Sequence, residues 1–437
     1  MYLSSSRSGD VTTGVRPARD GRVPQAATPP ARASRVARVV APNVIALGLV
    51  SLVTDISSEM VTAILPVYLV LGLGLSPLAF GMLDGLYNGA TAFLRVAGGH
   101  IADRTRRHKP VAGLGYGLSA ACKLALPAVS SVPGIGAVIT ADRMGKGIRT
   151  APRDALISLS SPADQQGRAF GVHRAFDTTG ALLGPFAAMA VLWFTAQAYD
   201  AVFVVSFCFA AFAVLLLVLY VREAPAAPEA KAATGRPRLR EAVAVLRVPG
   251  FARVCAYALV LGAATIGDGM VYLLLQRRVD LRPHLFPLLP FGTALGFLLL
   301  AVPVGLLADR VGRLRVFLLG HGVLLACYLT LLTPLPRAAA VALPLLLLGV
   351  FYAATDGVLM AVAAPLAPAR LRGGSLALVQ TGQAAGRALG AVAFGAAWTA
   401  WGPHQALVAA AVTLAAAGAA AALTAHRYDT SPREPAR

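Results

Sequence analysis

Residues 304–313 read VGLLADRVGR, and residues 98–107 read GGHIADRTRR. Laid over one another, they pair Gly99 with Gly305, Asp103 with Asp309, Arg104 with Arg310 and Arg107 with Arg313, at an offset of 206 residues. Without a gap, the same offset sets Pro162 on Pro368, Gly167 on Gly373, Gly180 on Gly386 and Gly184 on Gly390. One register held over so long a stretch marks an internal duplication.

The solvent of the duplicated unit follows from composition. Of 437 residues, 57% are hydrophobic and only 14% charged, whereas a soluble domain is about a quarter charged. Apolar runs of about 20 residues, enough to cross a bilayer, recur along the chain. The chain reads as an all-α, multi-pass membrane protein with the lipid bilayer as its partner. Its net charge of +19 is accounted for by Lys and Arg in cytoplasmic loops, so no nucleic-acid partner is implied. Cys122, Cys208, Cys255 and Cys327 all fall within apolar spans and give neither a disulfide framework nor metal-ligand spacing.

The apolar runs predict spans near 42–71, 78–101, 110–130, 134–158, 168–195 and 199–221, then 251–276, 285–308, 315–333, 339–364, 374–399 and 403–425. The organisation expected is a disordered basic tail (1–40), a six-helix bundle (41–221), a basic Pro/Ala-rich linker (222–250), a second six-helix bundle (251–425) and a short tail (426–437). Arg104, Arg106, Arg107, Lys109, Arg168 and the linker arginines fall on one side; only Arg277, Arg278, Arg282 and Arg337 fall on the other. That asymmetry predicts both termini in the cytoplasm. Six helices per repeat is an even number, so the two halves run parallel. Parallel six-plus-six repeats with a midplane site are a transporter architecture.

The two decapeptides resemble the loop signature of the major facilitator superfamily, Gly-x-x-x-Asp-Arg-x-Gly-Arg-Lys, between its second and third helices. The second copy keeps Gly312; the first has Arg106 in that place. The resemblance implies twelve transmembrane helices, alternating access and a cytoplasmic gate built from Gly99, Asp103, Arg104, Arg107, Gly305, Asp309, Arg310, Gly312 and Arg313.

The fourth span carries DRMGKGIRTAPRD (142–154). At about 100° per residue, Asp142, Arg143, Lys146, Arg149, Arg153 and Asp154 lie within an arc of about 140°. Six charges facing lipid would cost about 15–20 kcal/mol, at roughly 2.5–3.5 each. The face therefore points to water or to counter-charges, and a hydrated path is the expectation; static pairing of spans four and five is the other reading. Arg143-Met-Gly-Lys-Gly147 also resembles the superfamily's fourth-helix Arg-x-x-Gln-Gly pattern, which implies a coupling role for Arg143.

Further polar groups interrupt apolar sequence. Asp55 and Glu59 lie one turn apart on span one, and Asp84, Asn88 and Arg95 share a face of span two. Either the carboxylates carry protons or they neutralise Arg95, Arg143 and Lys146 as fixed pairs. Asp268 and Asp356 are the isolated acids of the second half, with Arg387 as a candidate partner. Lys123 reads as snorkelling toward the outer surface. Gly180-Ala-Leu-Leu-Gly184-Pro185 resembles the Gly-x-x-x-Gly-Pro pattern of proton-driven exporters, read physically as close helix packing and a bend. His173, Arg174 and Asp177 precede it; Asp177, with Arg153 and Asp154 of span four, is counted with the cytoplasmic gate, a static ion pair being the other reading.

No catalytic constellation, metal-ligand cluster or cofactor motif occurs. The reading is a monomeric plasma-membrane transporter moving a small organic molecule, with proton-coupled export favoured. Uptake of an organic anion is the alternative, and a membrane sensor that has lost transport is a third.

Overall fold

Pro42 opens the first helix, where a missing N–H costs nothing, and the helix with its π turn runs to the 73–76 loop. The computed structural model describes residues 40–89, 107–162, 165–223, 244–368 and 371–429. In the first half these form α1 (Pro42–Val67, continued by a π turn Tyr68–Gly72), α2 (77–89 of the described residues), α3 (His108–Ala125), α4 (Val132–Leu159), α5 (Gln166–Phe194) and α6 (Tyr199–Tyr220). In the second half, α7 is divided into α7a (Pro249–Ala263) and α7b (Asp268–Val279). It is followed by α8 (Leu288–Val311), α9 (Arg313–Leu332), α10a (Arg337–Thr355), α10b (Val358–Ala363), α11 (Arg372–Trp401) and α12 (Pro403–Asp429). No strand occurs among the described residues.

Eight of the helical spans are long and apolar enough to cross a membrane. The fold is a twelve-helix membrane bundle of two repeats. In both, corresponding helices pair: α1 with α5 and α7 with α11, α3 with α4 and α9 with α10, α3 with α6 and α9 with α12. Local chemistry sets the boundaries. Ser131 caps α4 by accepting the Gly134 N–H. Gly312, at φ 112°, makes the sharp turn from α8 into α9 that a side chain would oppose. That is the glycine of the second loop signature. Gly99, Asp103, Arg104 and Arg106, in the first signature, lie outside the described residues, as does Arg95.

Two differences from the expected spans matter for function. Spans seven and ten were expected to be continuous, but the helix is interrupted at 264–267 and again at Asp356-Gly357, where Gly357 takes φ 79°. The equivalent stretches of α1 and α4, 206 residues earlier, are unbroken helix.

Small residues set the closest approaches. Gly115 and Gly145 bring the α3 and α4 backbones together: a Cβ on Gly145 would sit 2.7 Å from the Gly115 carbonyl oxygen. Gly180 and Gly184 lay α5 on Leu52, Ile56 and Glu59 of α1. The halves meet at the end of the bundle bearing the 73–76 and 280–287 loops. There Gly81 and Gly85 of α2 abut Ala391 and Ala388 of α11, and Gly395 abuts Pro77. Phe186 packs edge-on against Phe291 at 4.4 Å, and Trp193 against His284 at 4.8 Å.

Candidate functional site

Beneath that closed end, between the halves, lies a cavity of about 370 Å3. Its walls are mainly apolar (Leu65, Leu69, Phe80, Leu83, Ile266 and Phe297) and its polar groups are few and specific. Glu59 and Thr62 of α1 and Asp84, Tyr87 and Asn88 of α2 come from the first half. Thr265 to Gly269, Tyr272, Thr293, Tyr352, Asp356 and Arg387 come from the second. Four carboxyl groups thus face one guanidinium.

The interruption of α7 shapes this site. Unwinding at 264–267 lets Thr265, Ile266 and Gly267 present backbone to the cavity, a device that midplane transporter sites share. The Ile266 N–H is satisfied by the Tyr328 hydroxyl at 2.7 Å. Gly267 has no Cβ because the Asp84 carboxylate occupies that space. One oxygen of Asp84 is held by Asn88 Nδ2 at 3.4 Å, while Oδ2 is buried without a partner among the described residues. Next to Gly267, Asp268 accepts from the Tyr352 hydroxyl, which lies 2.6 and 2.7 Å from its two oxygens. The Arg387 guanidinium lies 5.6 Å over the Tyr352 ring. An aspartate of one half and an aspartate–tyrosine–arginine set of the other therefore share a wall.

The charged face of α4 is elsewhere. Arg143, Lys146 and Arg149 do not line the cavity; they turn into the first half. Arg143 pairs with Asp142 at 2.5 Å and stacks on the Tyr87 ring at 4.1 Å, so Tyr87 stands between it and the cavity. Asp142 also accepts from the Ser119 hydroxyl at 2.5 Å and pairs with Lys123 at 3.6 Å. Lys123 is only 4% exposed. The snorkelling expected of it is thus wrong: α3 turns the ammonium inward, onto the α4 carboxylate. Arg149 is buried with its guanidinium 4.6 Å over Tyr116.

A second cluster lies nearer the linker end. Arg153 pairs with Asp154 at 3.0 Å and Asp177 at 3.7 Å, and Arg174 pairs with Asp177 at 3.5 Å. Asp55 turns to Asp177 rather than to the cavity, and His173 hydrogen-bonds Ser51 at 2.9 Å. Glu59, one turn on, does line the cavity. In the second loop signature, Arg313 binds Asp309 at 2.8 Å and donates to the Ala361 carbonyl of α10b at 3.1 Å. Arg107 is exposed at the start of α3, and Gly305 lines a recess beside Asp309 and Asp356.

The tyrosines were missed from sequence. Tyr87 and Tyr352 sit in apolar runs where an aromatic is unremarkable. The helix breaks did leave a signal: Gly267-Asp268 and Asp356-Gly357 are turn-type dipeptides inside apolar sequence.

Comparison with known proteins gives this arrangement a family. A profile described as Major Facilitator Superfamily matches residues 47–280 and 269–437. An uncharacterized MFS-type transporter of Methanocaldococcus jannaschii is 31% identical over 296 residues, 65% of this chain and 70% of that protein. An uncharacterized protein of Mycobacterium bovis is 32% identical over 152 residues, 35% of this chain and 37% of that one. Among solved structures, the nucleoside transporter NupG superposes with a TM-score of 0.72 at 15% identity, over 87% of this chain and 98% of that one. A bacterial homologue of the human lysosomal transporter Spinster, inward-facing and unoccupied, gives 0.72 at 16% identity, over 90% and 98%. Identities so low speak for the fold alone. With a profile spanning both repeats, the chain belongs to the major facilitator superfamily and is a transporter of that type.

Proposed function

We propose that the chain is a proton-coupled exporter of a small organic solute, neutral or cationic, working by alternating access. The observation that carries this reading is the charge of the cavity: Glu59, Asp84, Asp268 and Asp356 against Arg387 alone, on apolar walls. Such a wall welcomes an apolar body with a cationic or hydrogen-bond-donating end. Uptake of an organic anion would draw on the excess of Arg and Lys in the first half, and of these Arg143, Lys146 and Arg149 of α4 do not line the cavity. With the termini inside, as the loop charges favour, the closed end is external and the cavity opens toward the cytoplasm. In that state Asp84 has an unmatched oxygen, and a proton or a cationic group from solution would match it.

Proton-gradient-driven flux into inverted membrane vesicles, measured across organic cations, neutral amphiphiles and organic anions, tests the proposal. Accumulation of a cation or neutral amphiphile, abolished by an uncoupler, is the expected result. Accumulation restricted to anions, or flux indifferent to the gradient, overturns it.

A further inference from the structure

The second half contains a larger space, apart from the central cavity. Between α7a, α9 and α12, at the end of the bundle that carries the linker, lies a groove of about 1100 Å3. The duplication explains its existence. Ala415, Gly418 and Ala422 of α12 occupy the places that Phe209, Phe212 and Leu216 hold in α6, 206 residues earlier. In the first half Phe209 and Leu216 help fill the core, and α6 packs along α1. In the second half α12 offers no such bulk and touches α7 far less. A Cβ added at Gly322 or at Gly418 would meet nothing within 4 Å.

The lining has two chemical zones. Toward the end of the bundle stand Arg253, Arg310 and Arg315, with the Asp309–Arg313 pair beside them. Deeper, Val254, Leu318, Leu325 and Leu414 form an apolar floor. From Leu414 to Ala425 along α12 the groove is about 16 Å long at 1.5 Å per residue. That is about half of a 30 Å hydrocarbon core, or one leaflet. His321, buried to 5% exposure, also lines the space. Its Nδ1 donates to the Phe317 carbonyl at 2.9 Å. The other ring nitrogen is therefore an acceptor, and it has no hydrogen-bond partner among the described residues.

We propose that this groove is a binding site for one anionic phospholipid of the linker-side leaflet. Its phosphate sits at Arg310, in a recess that Arg253 and Arg315, each engaged with a partner of its own, also line, and an acyl chain lies on the floor between α9 and α12. A hydroxyl of the headgroup or glycerol backbone supplies the donor that His321 lacks. Basic recesses between transmembrane helices attract anionic headgroups, and a groove one leaflet deep excludes a free phosphate as the natural occupant. The site rests on the second repeat alone and is independent of what the central cavity carries.

The test uses the full chain reconstituted in bilayers of phosphatidylcholine with or without phosphatidylglycerol. A photoreactive benzoylphenylalanine replaces Leu325, and retained lipid is counted by native mass spectrometry. One phosphatidylglycerol per chain, crosslinked at position 325, is expected. Gly418→Leu should abolish its retention. Arg310→Gln, at an exposed position, should weaken the preference for phosphatidylglycerol over phosphatidylcholine about fivefold, the share of one arginine's attraction for an anionic headgroup. Should Gly418→Leu fail to fold, Ala415→Leu serves the same purpose. The proposal is overturned if retention is the same in the filled and open variants or if the two lipids are retained equally. It also fails if soluble glycerol phosphate displaces the lipid, or if the crosslink falls on the chain's own terminal segment or a second copy.

Discussion

Tyr352 reaches both carboxylate oxygens of Asp268 with one hydroxyl, at 2.6 and 2.7 Å, and so ties α10a to the first turn of α7b. Each of those residues borders a helix interruption, so the bond joins the two irregular places of the second half. Tyr352→Phe removes the donor and keeps the ring beneath Arg387. A hydrogen bond to a charged group is worth about 1.5–3 kcal/mol, so a change in apparent substrate affinity of about tenfold or more is expected, with folded yield preserved. Half-saturation in vesicle flux, beside size-exclusion of the purified variant, provides the check.

Asp84→Asn should uncouple transport. The neutral amide keeps the size of the side chain beside Gly267 but cannot exchange a proton. Uphill accumulation should fall to the equilibrium level while downhill exchange of preloaded substrate persists. Wild-type uphill accumulation in this variant would sink the coupling role.

The buried triad of α3 and α4 gives an asymmetric pair of variants. Asp142→Ala leaves Lys123 and Arg143 buried without their shared counter-charge, whereas Lys123→Met leaves Asp142 still bound by Arg143 and Ser119. Breaking a buried ion pair costs about 3–5 kcal/mol, so Asp142→Ala should unfold at much lower temperature than Lys123→Met. Thermal unfolding in detergent distinguishes them. Equal losses would mean that Asp142 serves the lysine alone.

Cysteine accessibility separates the cavity from the interior of the first half. Asp356→Cys, at an exposed position lining the cavity, should react with a small charged thiol reagent from the linker side of the membrane. Arg149→Cys, at a position now 4% exposed, should react far more slowly. Comparable rates would place α4 on a water path after all.

The helical bundle was legible because its two signals are long-range and redundant: apolar runs of bilayer length, and a register repeated at 206 residues. The acids of the cavity were legible too, since Asp84, Asp268 and Asp356 are isolated in apolar sequence. What a single helix cannot disclose is which neighbour its polar face meets. The α4 charges share one arc by their spacing, yet whether that arc faced water or Lys123 depended on how α3 was turned. Arg387 was named with Asp268, but Tyr352 between them carries no charge to advertise it. Gly99, Asp103 and Arg104, expected as gate residues, lie outside the described residues, while Asp309 is engaged with Arg313.

The glycine crossing of α3 and α4 holds those two backbones close, and α1 and α4 run as continuous helices through the stretches concerned. In the second repeat the corresponding rods are cut at 264–267 and 356–357. The two copies thus differ in backbone continuity at matching places. The interruptions, at Thr265 to Gly267 and at Asp356, are themselves part of the cavity wall. A solute in the cavity would therefore touch both interruptions directly, with no side chains packed between.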